Sequence, residues 1–196
     1  PIASGNSPVK NFKKWRKQAR NAVLDAMLAP PPRTTDYQTE IVAEEQRNGY
    51  KARKLHFNLT GYSRVNAYML VPDGEGPFPA VVLLHDHGGH YTIGKEKMIR
   101  PFGVSPEVLA DADAWAKQCY GGQYVGDYLA AHGYVVISID AIFWGERGWK
   151  EGLDGDKHMA VAGNFMMLGR SWSAFMNYED MYTTDFLATL PEVDSK

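Results

Sequence analysis

The chain has 196 residues, which is enough for one sizeable hydrophobic core or for part of a larger one. Its 21 Lys and Arg nearly balance its 23 Asp and Glu, so the composition indicates neither a nucleic-acid nor a membrane-surface partner. The single cysteine, Cys119, excludes an intrachain disulfide and a cysteine-rich metal site. No apolar run reaches the roughly 18 residues of a membrane span.

The first predicted unit is an N-terminal arm and helix over residues 1–33. Ser7 and Pro8 are typical of a helix start, and apolar side chains then recur at helical spacing as far as Ala26. Consecutive prolines at 30–32 end the helix, because proline lacks a backbone N–H donor. The opposite helix face is basic, and we expect it to be solvated; it carries Lys10, Lys13, Lys14, Lys17 and Arg20.

The second predicted unit, residues 34–196, begins with a polar stretch and a pair of strands. Residues 34–49 predict a connector with one short element at most. Apolar and polar residues then alternate from Leu55 to Leu59, and again from Val65 to Val71 after a Thr-Gly turn. We expect these strands to form an antiparallel hairpin at the start of a mixed sheet.

The central feature of the chain is the segment 79–91, which reads PAVVLLHDHGGHY. Its uninterrupted apolar run over 80–84 is typical of a strand buried on both faces within a parallel sheet. Functional loops follow the carboxyl ends of such strands. Because glycine also lets backbone N–H groups approach a ligand closely, we take residues 85–91 as the candidate functional loop.

Three interpretations of this loop are open. In the first, backbone N–H groups of His87, Gly88 and Gly89 stabilise a developing oxyanion. In the second, His85, His87 and His90 bind a metal ion, since His-x-His at a strand end places two imidazoles on one ion. In the third, the histidines only hydrogen-bond to neighbouring loops.

Charged side chains and a helix follow the loop. Ser105 is a helix cap with proline at the first helical position. The apolar stripe of that helix includes Cys119, which we expect to be a small buried hydrophobe. Between the loop and the helix lie charges that would suit a carboxylate or sugar hydroxyls, although we expect them to be solvated: Lys95, Glu96, Lys97 and Arg100.

A second buried strand, YVVISI at 134–139, ends at Asp140. A strand, a helix and a strand in this order form a parallel crossover, so Asp140 should lie at the same sheet edge as the His-rich loop. Trp144, Glu146 and Arg147 would then form a pocket wall. The alternative for the last two residues is a surface ion pair.

The remaining C-terminal residues predict one loop and one helical segment. Residues 153–163 are rich in Gly and Asp and contain His158, which is typical of a loop. Residues 165–190 are helical in character and end before Pro191.

The order of hairpin, buried strand, glycine turn, helix, buried strand and helix resembles the first half of an α/β-hydrolase. The likeness extends over residues 8–196. It implies the N-terminal half of a mixed α/β-hydrolase sheet, an antiparallel hairpin then parallel strands, with flanking helices. It also implies that His87, Gly88 and Gly89 supply the first oxyanion donors. Three segments resemble the dienelactone-hydrolase-like, acetyl xylan esterase-like branch of that superfamily most closely: LLHDHGGHYTIGKEKMIRPFG, YGGQYVGDYLAAHGYVVISIDAIFWGERG and YEDMYTTDFLATLPEVDSK.

The chain departs from that superfamily because it contains no G-x-S-x-G nucleophile elbow. Ser171 lies in GRSWS, which enters a helix without a preceding strand, and Ser105 is a helix cap, so neither is expected to be a nucleophile. We therefore expect residues 34–196 to be the N-terminal part of a hydrolase domain, truncated before the elbow. The metal interpretation weakens, since Gly89 stands where the metallo-β-lactamase motif His-x-His-x-Asp-His has its aspartate.

The function implied by the resemblance is that of a serine-type carboxylic ester hydrolase in the intact protein, acting on a carbohydrate acetyl ester. No cofactor or metal is expected, and this chain alone is expected to be inactive. Two alternatives stay open: a catalytically inactive hydrolase-like binding domain and, with less support, a metal-dependent hydrolase that uses His85, His87 and His90. The residues expected to line the substrate pocket are His85, His90, Trp144, Glu146 and Arg147.

The expected strand order also implies a partner for the central strand. In an α/β-hydrolase, the strand 80–84 would lie between the strand 134–139 and an absent strand that bears the elbow. An open edge of this kind leaves backbone N–H and C=O groups unpaired. We therefore expect the strand 80–84 to pair with the missing C-terminal half or with another chain.

Overall fold

The computed structural model describes residues 11–149 and 152–195. Within them, 3-10 turns lie at Lys95–Lys97 and Gly145–Arg147, and no helix is long and apolar enough to cross a membrane. The main elements, in chain order, are helix α1 (Phe12–Ala26), strands β1 (Glu40–Arg47), β2 (Tyr50–Asn58), β3 (Arg64–Pro72) and β4 (Ala80–Val82), helices α2 (Pro106–Cys119) and α3 (Val125–Ala131), strand β5 (Val135–Ile139), and helices α4 (Gly155–Met167) and α5 (Trp172–Leu187).

The strands form one mixed sheet in the order β1-β2-β3-β5-β4. Neighbours from β1 to β5 are antiparallel, whereas β4 and β5 are parallel, with Ala80 opposite Val135. The predicted hairpin and parallel crossover are therefore confirmed, and with them the predicted α/β fold class. Within the described residues β4 has β5 as its sheet neighbour. On the other edge Phe78, just before β4, forms a parallel bridge with Val193, and no described strand pairs with Ala80–Val82 there.

Alternate side chains of β3 separate two hydrophobic cores. Val65, Ala67 and Met69 belong to the core that α5 covers, and Tyr68 and Leu70 belong to the core that α3 covers. This alternation follows from strand geometry, because successive side chains point to opposite faces. The sheet therefore lies between helices, and the loops at the carboxyl ends of β4 and β5 remain accessible.

Strand β1 corrects the prediction of a polar connector over 34–49. Its eight residues pair with β2 along one edge, and most of their side chains are exposed. Backbone pairing with β2 holds this strand, together with cross-strand ion pairs such as that of Glu44 with Arg53 at 2.9 Å. Its side chains show little of the apolar alternation that predicts a strand.

Helix α4 corrects the prediction of a loop over 153–163. The side chain of Asp154 caps the helix by accepting a hydrogen bond from the Lys157 amide at 2.8 Å. Val161 anchors the helix, since it is buried in a cluster with Trp172 and Leu153. Tertiary packing therefore overrides the low helix propensity of the glycines in this segment.

Burial of the central strand and of the cysteine was overpredicted. β4 has three residues of intermediate exposure, and Leu84 is 58% exposed. This strand has one neighbour, so its other edge is not covered. Cys119, expected to be buried, is exposed at the last position of α2, because the helix ends there and turns away from the core.

Helix ends agree with the capping signals where the structure describes them. Ser105 and Ser171 accept hydrogen bonds from the amides of Val108 and Ala174 and cap α2 and α5. Ser105 is therefore a helix cap as predicted, and Ser171 begins the helix that its segment was expected to enter. The predicted start of the first helix at Ser7 and the basic residue Lys10 lie outside the described residues. The described part of that helix has no buried residue, and its basic face is exposed as expected: Lys13, Lys14, Lys17 and Arg20.

Candidate functional site

The candidate site lies where the parallel strands β4 and β5 end. Residues 83–91 leave β4, residues 140–149 leave β5, and the 3-10 turn Lys95–Lys97 packs beneath them. The carboxyl ends of parallel strands meet at one edge of the sheet. The two sequence segments predicted to share an edge are therefore brought together.

His85 joins the two loops as a neutral imidazole. Its Nε2 accepts the Ala141 amide at 3.1 Å, and its Nδ1 lies 3.0 Å from the carbonyl of Asp86, to which it donates. Burial lowers the pKa of His85 to about 4, because the charged form would lose its hydration. Both ring nitrogens are used by the backbone, so His85 braces the site.

His87, Gly88 and Gly89 form an exposed turn with unusual backbone angles. Gly88 and Gly89 have φ values of +53° and +66°, which favour glycine. A Cβ on Gly88 would lie 2.3 Å from the Trp115 ring, whereas none on Gly89 would touch anything within 4 Å. The Gly89 amide donates to His87 Nδ1 at 3.0 Å. In the described part of the chain, the amides of His87 and Gly88 make no hydrogen bond.

A chain of hydrogen bonds runs from this turn to α4. Because Nδ1 of His87 accepts the Gly89 amide, its Nε2 carries the proton and donates to the Tyr91 hydroxyl at 3.0 Å. That hydroxyl in turn donates to Nδ1 of His158, also at 3.0 Å. Burial, the charge of His158 and that of Lys97 lower the pKa of His87. The sequence analysis missed Tyr91 and His158, since His158 was assigned to a loop.

His90 faces α2. Its Nε2 donates to the carboxylate of Asp111 at 2.8 Å, and its ring stacks on Trp115 with centroids 4.9 Å apart. The hydroxyl of Thr92 donates to the same carboxylate at 2.9 Å. His90 therefore fastens the end of the loop to α2.

The three histidines do not converge on one point. The nitrogens of His85 are taken by backbone groups and Nε2 of His90 is taken by Asp111. Among the described residues, the group with ligand atoms close enough to share an ion is Glu96, Asp140 and Glu146. The ammonium group of Lys95 already lies among those carboxylates.

Lys95, Glu96 and Lys97 were all expected to be solvated, but all three are buried. The Lys95 Nζ lies 2.6 Å from Glu96, 2.8 Å from Asp140 and 2.8 Å from Glu146. The Lys95 amide also donates to Asp140 at 2.8 Å. These contacts offset much of the cost of burying the Lys95 charge. Lys95, Glu96, Asp140 and Glu146 therefore form one buried cluster, the Lys95 cluster, where solvated loop charges were expected. Of the expected solvated set, Arg100 is exposed.

The carboxylates of the Lys95 cluster differ in their pKa. Burial raises the pKa of Asp140 to about 6, although Lys95 opposes this shift. Glu146 is less buried and contacts both Lys95 and Lys54, the latter at 2.6 Å, and these ammonium groups lower its pKa to about 2. Asp140 contacts the Lys95 amide and ammonium and accepts a hydrogen bond from the Glu146 amide. It thereby fixes the start of the loop that leaves β5.

Arg147 points away from Glu146 and pairs with α5. Its guanidinium makes two hydrogen bonds of 2.8 Å to the carboxylate of Glu179 and one of 2.8 Å to the carbonyl of Asp140. The alternative of a Glu146–Arg147 surface pair is therefore wrong, because each residue has a different partner. Trp144 is buried, with its ring 5.3 Å from that of His87.

A groove of about 600 Å³ opens beside these loops. Of the residues expected to line a substrate pocket, Glu146 is in its wall, whereas His85, His90, Trp144 and Arg147 lie outside it. Its lining is polar or acidic on several sides and includes a half-exposed tryptophan: Lys54, Thr92, Glu96, Gly103, Val104, Ser105, Glu107, Val108, Asp111, Gly145, Glu146 and Trp149.

The neutral state of His85 gives a testable pH dependence. Its folded pKa of about 4 lies below the ordinary value of 6.5, so the unfolded chain binds more protons in that window and stability falls as the pH decreases through it. A decrease in pH through the whole interval lowers the free energy of unfolding by about 3 kcal/mol. We expect His85→Gln, whose amide oxygen still accepts from Ala141, to lose less stability over the same window. Urea unfolding of both proteins as a function of pH measures the difference. Asp140 titrates in both proteins, so its contribution cancels. Parallel curves of unfolding free energy against pH would contradict a neutral His85.

The chain is similar in sequence to a known protein family and to a bacterial relative. A sequence model described as "Abhydrolase family" matches residues 4–195. The "Putative hydrolase YtaP" of Bacillus subtilis (strain 168) is 27% identical over 175 residues, which cover 89% of this chain and 52% of that protein.

Solved structures share the fold at low sequence identity. A "putative acetyl xylan esterase" from Bacteroides fragilis NCTC 9343 superposes with a TM-score of 0.71 at 20% identity. The superposition covers 98% of this chain and 47% of the esterase chain. Acetyl xylan esterase 1 from Thermoanaerobacterium sp. JW/SL YS485 has a TM-score of 0.52 at 18% identity and covers 91% and 47%. The chain thus spans about half the length of these relatives.

Proposed function

Because this chain belongs to the Abhydrolase family, we propose that it forms the oxyanion-binding half of a serine-type carboxylic ester hydrolase. The observation that carries the proposal is the turn at His87 and Gly88. Their amides lie past the carboxyl end of β4, on an exposed turn, and make no hydrogen bond within the described residues. Two adjacent free amides suit the negative oxygen that develops when an ester carbonyl is attacked.

The reaction would divide between this chain and further sequence. A serine attacks the acyl carbon, a histidine takes the serine proton and passes it to the leaving alcohol, and water then releases the acid. Neither Ser105 nor Ser171 suits the attack, because each caps a helix. In this proposal the triad comes from polypeptide outside these 196 residues, which alone would be inactive.

We propose a carbohydrate acetyl ester as the substrate. Two relatives of the same fold carry the name acetyl xylan esterase, and the groove offers groups that suit a sugar. Carboxylates of Glu107 and Asp111 can accept hydrogen bonds from hydroxyls, and the ring of Trp149 can stack on an apolar sugar face.

The open edge of β4 would receive the next strand of the sheet. We propose that a further polypeptide segment pairs there, either from the same protein or from a second chain. Hydrogen exchange tests this pairing: the outward-facing amides of β4 should exchange more slowly in the full-length protein than in residues 1–196. Equal exchange in both would exclude the pairing.

The absence of G-x-S-x-G from the 196 residues favours one other function, an inactive hydrolase-like binding domain. Expression of the complete reading frame separates the two. The hydrolase should release acetate from chromogenic and xylan acetate esters, and a fluorophosphonate probe should label one serine. A protein that does neither but binds acetylated xylan would be the binding domain.

A pair of glycine variants tests the oxyanion turn in that active protein. Gly88→Ala puts its Cβ into Trp115 and shifts the amide, whereas Gly89→Ala carries the same φ strain with no contact. We expect kcat to fall about 100-fold in Gly88→Ala, with a much smaller decrease in Gly89→Ala. Equal, small decreases would remove Gly88 from the oxyanion site.

A further inference from the structure

Lys97 is buried against the backbone of the candidate oxyanion turn. Its side chain has 0% exposure, and its Nζ donates to the carbonyls of Asp86 and His87 at 2.9 and 3.3 Å. The Asp86 carboxylate is farther away, at 3.6 Å, and the ring of Trp115 lies 4.9 Å from Nζ. The shortest contacts of this buried ammonium are therefore peptide carbonyls.

Those two contacts determine where the neighbouring amides point. The bonds 86–87 and 87–88 are trans, and in a planar trans peptide the N–H is directed opposite to the C=O. Because the carbonyls of Asp86 and His87 face Lys97, the amides of His87 and Gly88 face away from it. These are the same two amides that lack a hydrogen-bond partner in the described residues.

We infer that Lys97 is a positioning residue, which holds two consecutive peptide groups so that the amides of His87 and Gly88 converge on an anionic oxygen. The inference rests on the proposed function. The ammonium also polarises both peptides, which strengthens their N–H groups as donors. Its positive charge lies behind the turn, in a site screened from water, where it favours negative charge on the far side.

The surroundings of Lys97 keep this arrangement fixed. Asp86 is held on the other side by hydrogen bonds from the Trp115 indole and the Tyr120 hydroxyl. Gly88 packs against the Trp115 ring so closely that a Cβ has no room. Burial lowers the pKa of Lys97, opposed by Asp86. Burying this charge costs free energy. Lys97 does not line the groove, and its nearest carboxylate, Asp86, is 3.6 Å away, so neither ligand contact in the groove nor a close ion pair explains its burial. This favours a role at the turn.

The test uses acetate, the acid product, as the anionic probe of the 196-residue chain. Amide NMR spectra are recorded during an acetate titration at neutral pH. In the unaltered chain we expect the signals of His87 and Gly88 to shift with saturation. In Lys97→Met we expect acetate affinity at these amides to fall about tenfold, equivalent to about 1.4 kcal/mol. Lys97→Arg keeps the charge and the donors and should recover most of that loss.

A matched control and a measurement without substitution complete the test. Lys117→Met removes an exposed ammonium from α2 and should leave the acetate affinity unchanged, which separates positioning from net charge. In the unaltered chain, raising the pH until Lys97 deprotonates should weaken acetate in parallel with the Lys97 side-chain signal. This second measurement holds even if Lys97→Met does not fold. The other ionisable groups that face Lys97 are His85, Asp86, His87, Asp111 and Cys119.

The outcomes distinguish the inference from the function on which it rests. Equal acetate affinity in Lys97→Met and the unaltered chain, with the same two amides shifting, would leave the oxyanion turn standing and remove Lys97 from it. No shift at His87 and Gly88 in the unaltered chain would overturn both.

Discussion

Lys95→Met should lower the free energy of unfolding by about 3–5 kcal/mol at neutral pH, since it leaves buried carboxylates without their shared cation. The Lys95 side chain is 0% exposed and contacts Glu96, Asp140 and Glu146 within 2.8 Å. A loss of that size is a large part of the roughly 5–15 kcal/mol that stabilises a typical domain. Urea unfolding followed by circular dichroism measures it.

The pH dependence of the variant identifies the cause. Without Lys95, which opposes the effect of burial, the pKa of Asp140 should rise further, so the folded state binds a proton that the unfolded state has released. The free energy of unfolding then falls as the pH rises from the ordinary carboxyl range to neutral, and more steeply than in the unaltered chain. Lys51→Met is the control, because Lys51 pairs with Glu44 at 3.3 Å on the surface and should cost about 0–1 kcal/mol. A similar small cost for Lys95→Met would contradict the cluster.

Arg147→Met should have an effect of the same order. Glu179 has 1% side-chain exposure and receives two hydrogen bonds from Arg147, so removing the guanidinium leaves an uncompensated charge inside the protein. We expect a loss of about 3–5 kcal/mol. Thermal and urea unfolding should both report it.

A double-mutant cycle shows whether the pair itself or the isolated charge sets that cost. Arg147→Met combined with Glu179→Leu should be more stable than Arg147→Met alone, because neither charge is then left buried. The control is Arg33→Met, whose partner Asp185 and own side chain are 45% and 46% exposed, with an expected loss of about 0–1 kcal/mol. Additive single effects would contradict the coupling.

Local pattern predicted the strands well. The alternation from Val65 to Val71 maps onto two cores on opposite faces of β3, and the apolar run at 134–139 becomes β5. These elements follow from short-range periodicity, which a single sequence displays. Strand β1 carried no such pattern, because its stability comes from backbone pairing with β2.

Long-range partners were the main source of error. Lys95 and Glu96 read as solvated charges because two of the Lys95 partners, Asp140 and Glu146, follow 45 and 51 residues later. No local sequence pattern predicts that such groups will meet at one sheet edge and form ion pairs. The parallel crossover was predicted, and it implied this proximity, but periodicity does not reveal which charges become buried there.

The segment 85–91 follows β4 as predicted, but the contacts of its histidines were not predictable. The tautomer of His85 depends on the Ala141 amide, and that of His87 depends on the Gly89 amide. Tyr91 contacts His87 directly, whereas its contact with His158 depends on α4. Such assignments require the folded backbone.

The turn Lys95–Lys97 also limits how the site can move. Within three residues it directs one ammonium to the loop that leaves β5 and another to the loop that leaves β4. Separating the two loops would strip at least one of these charges of its partners inside the protein. The turn therefore holds the two loops to one another. We expect any movement that widens the groove to occur at its outer wall, where the segment 103–105 and Trp149 do not contact either lysine.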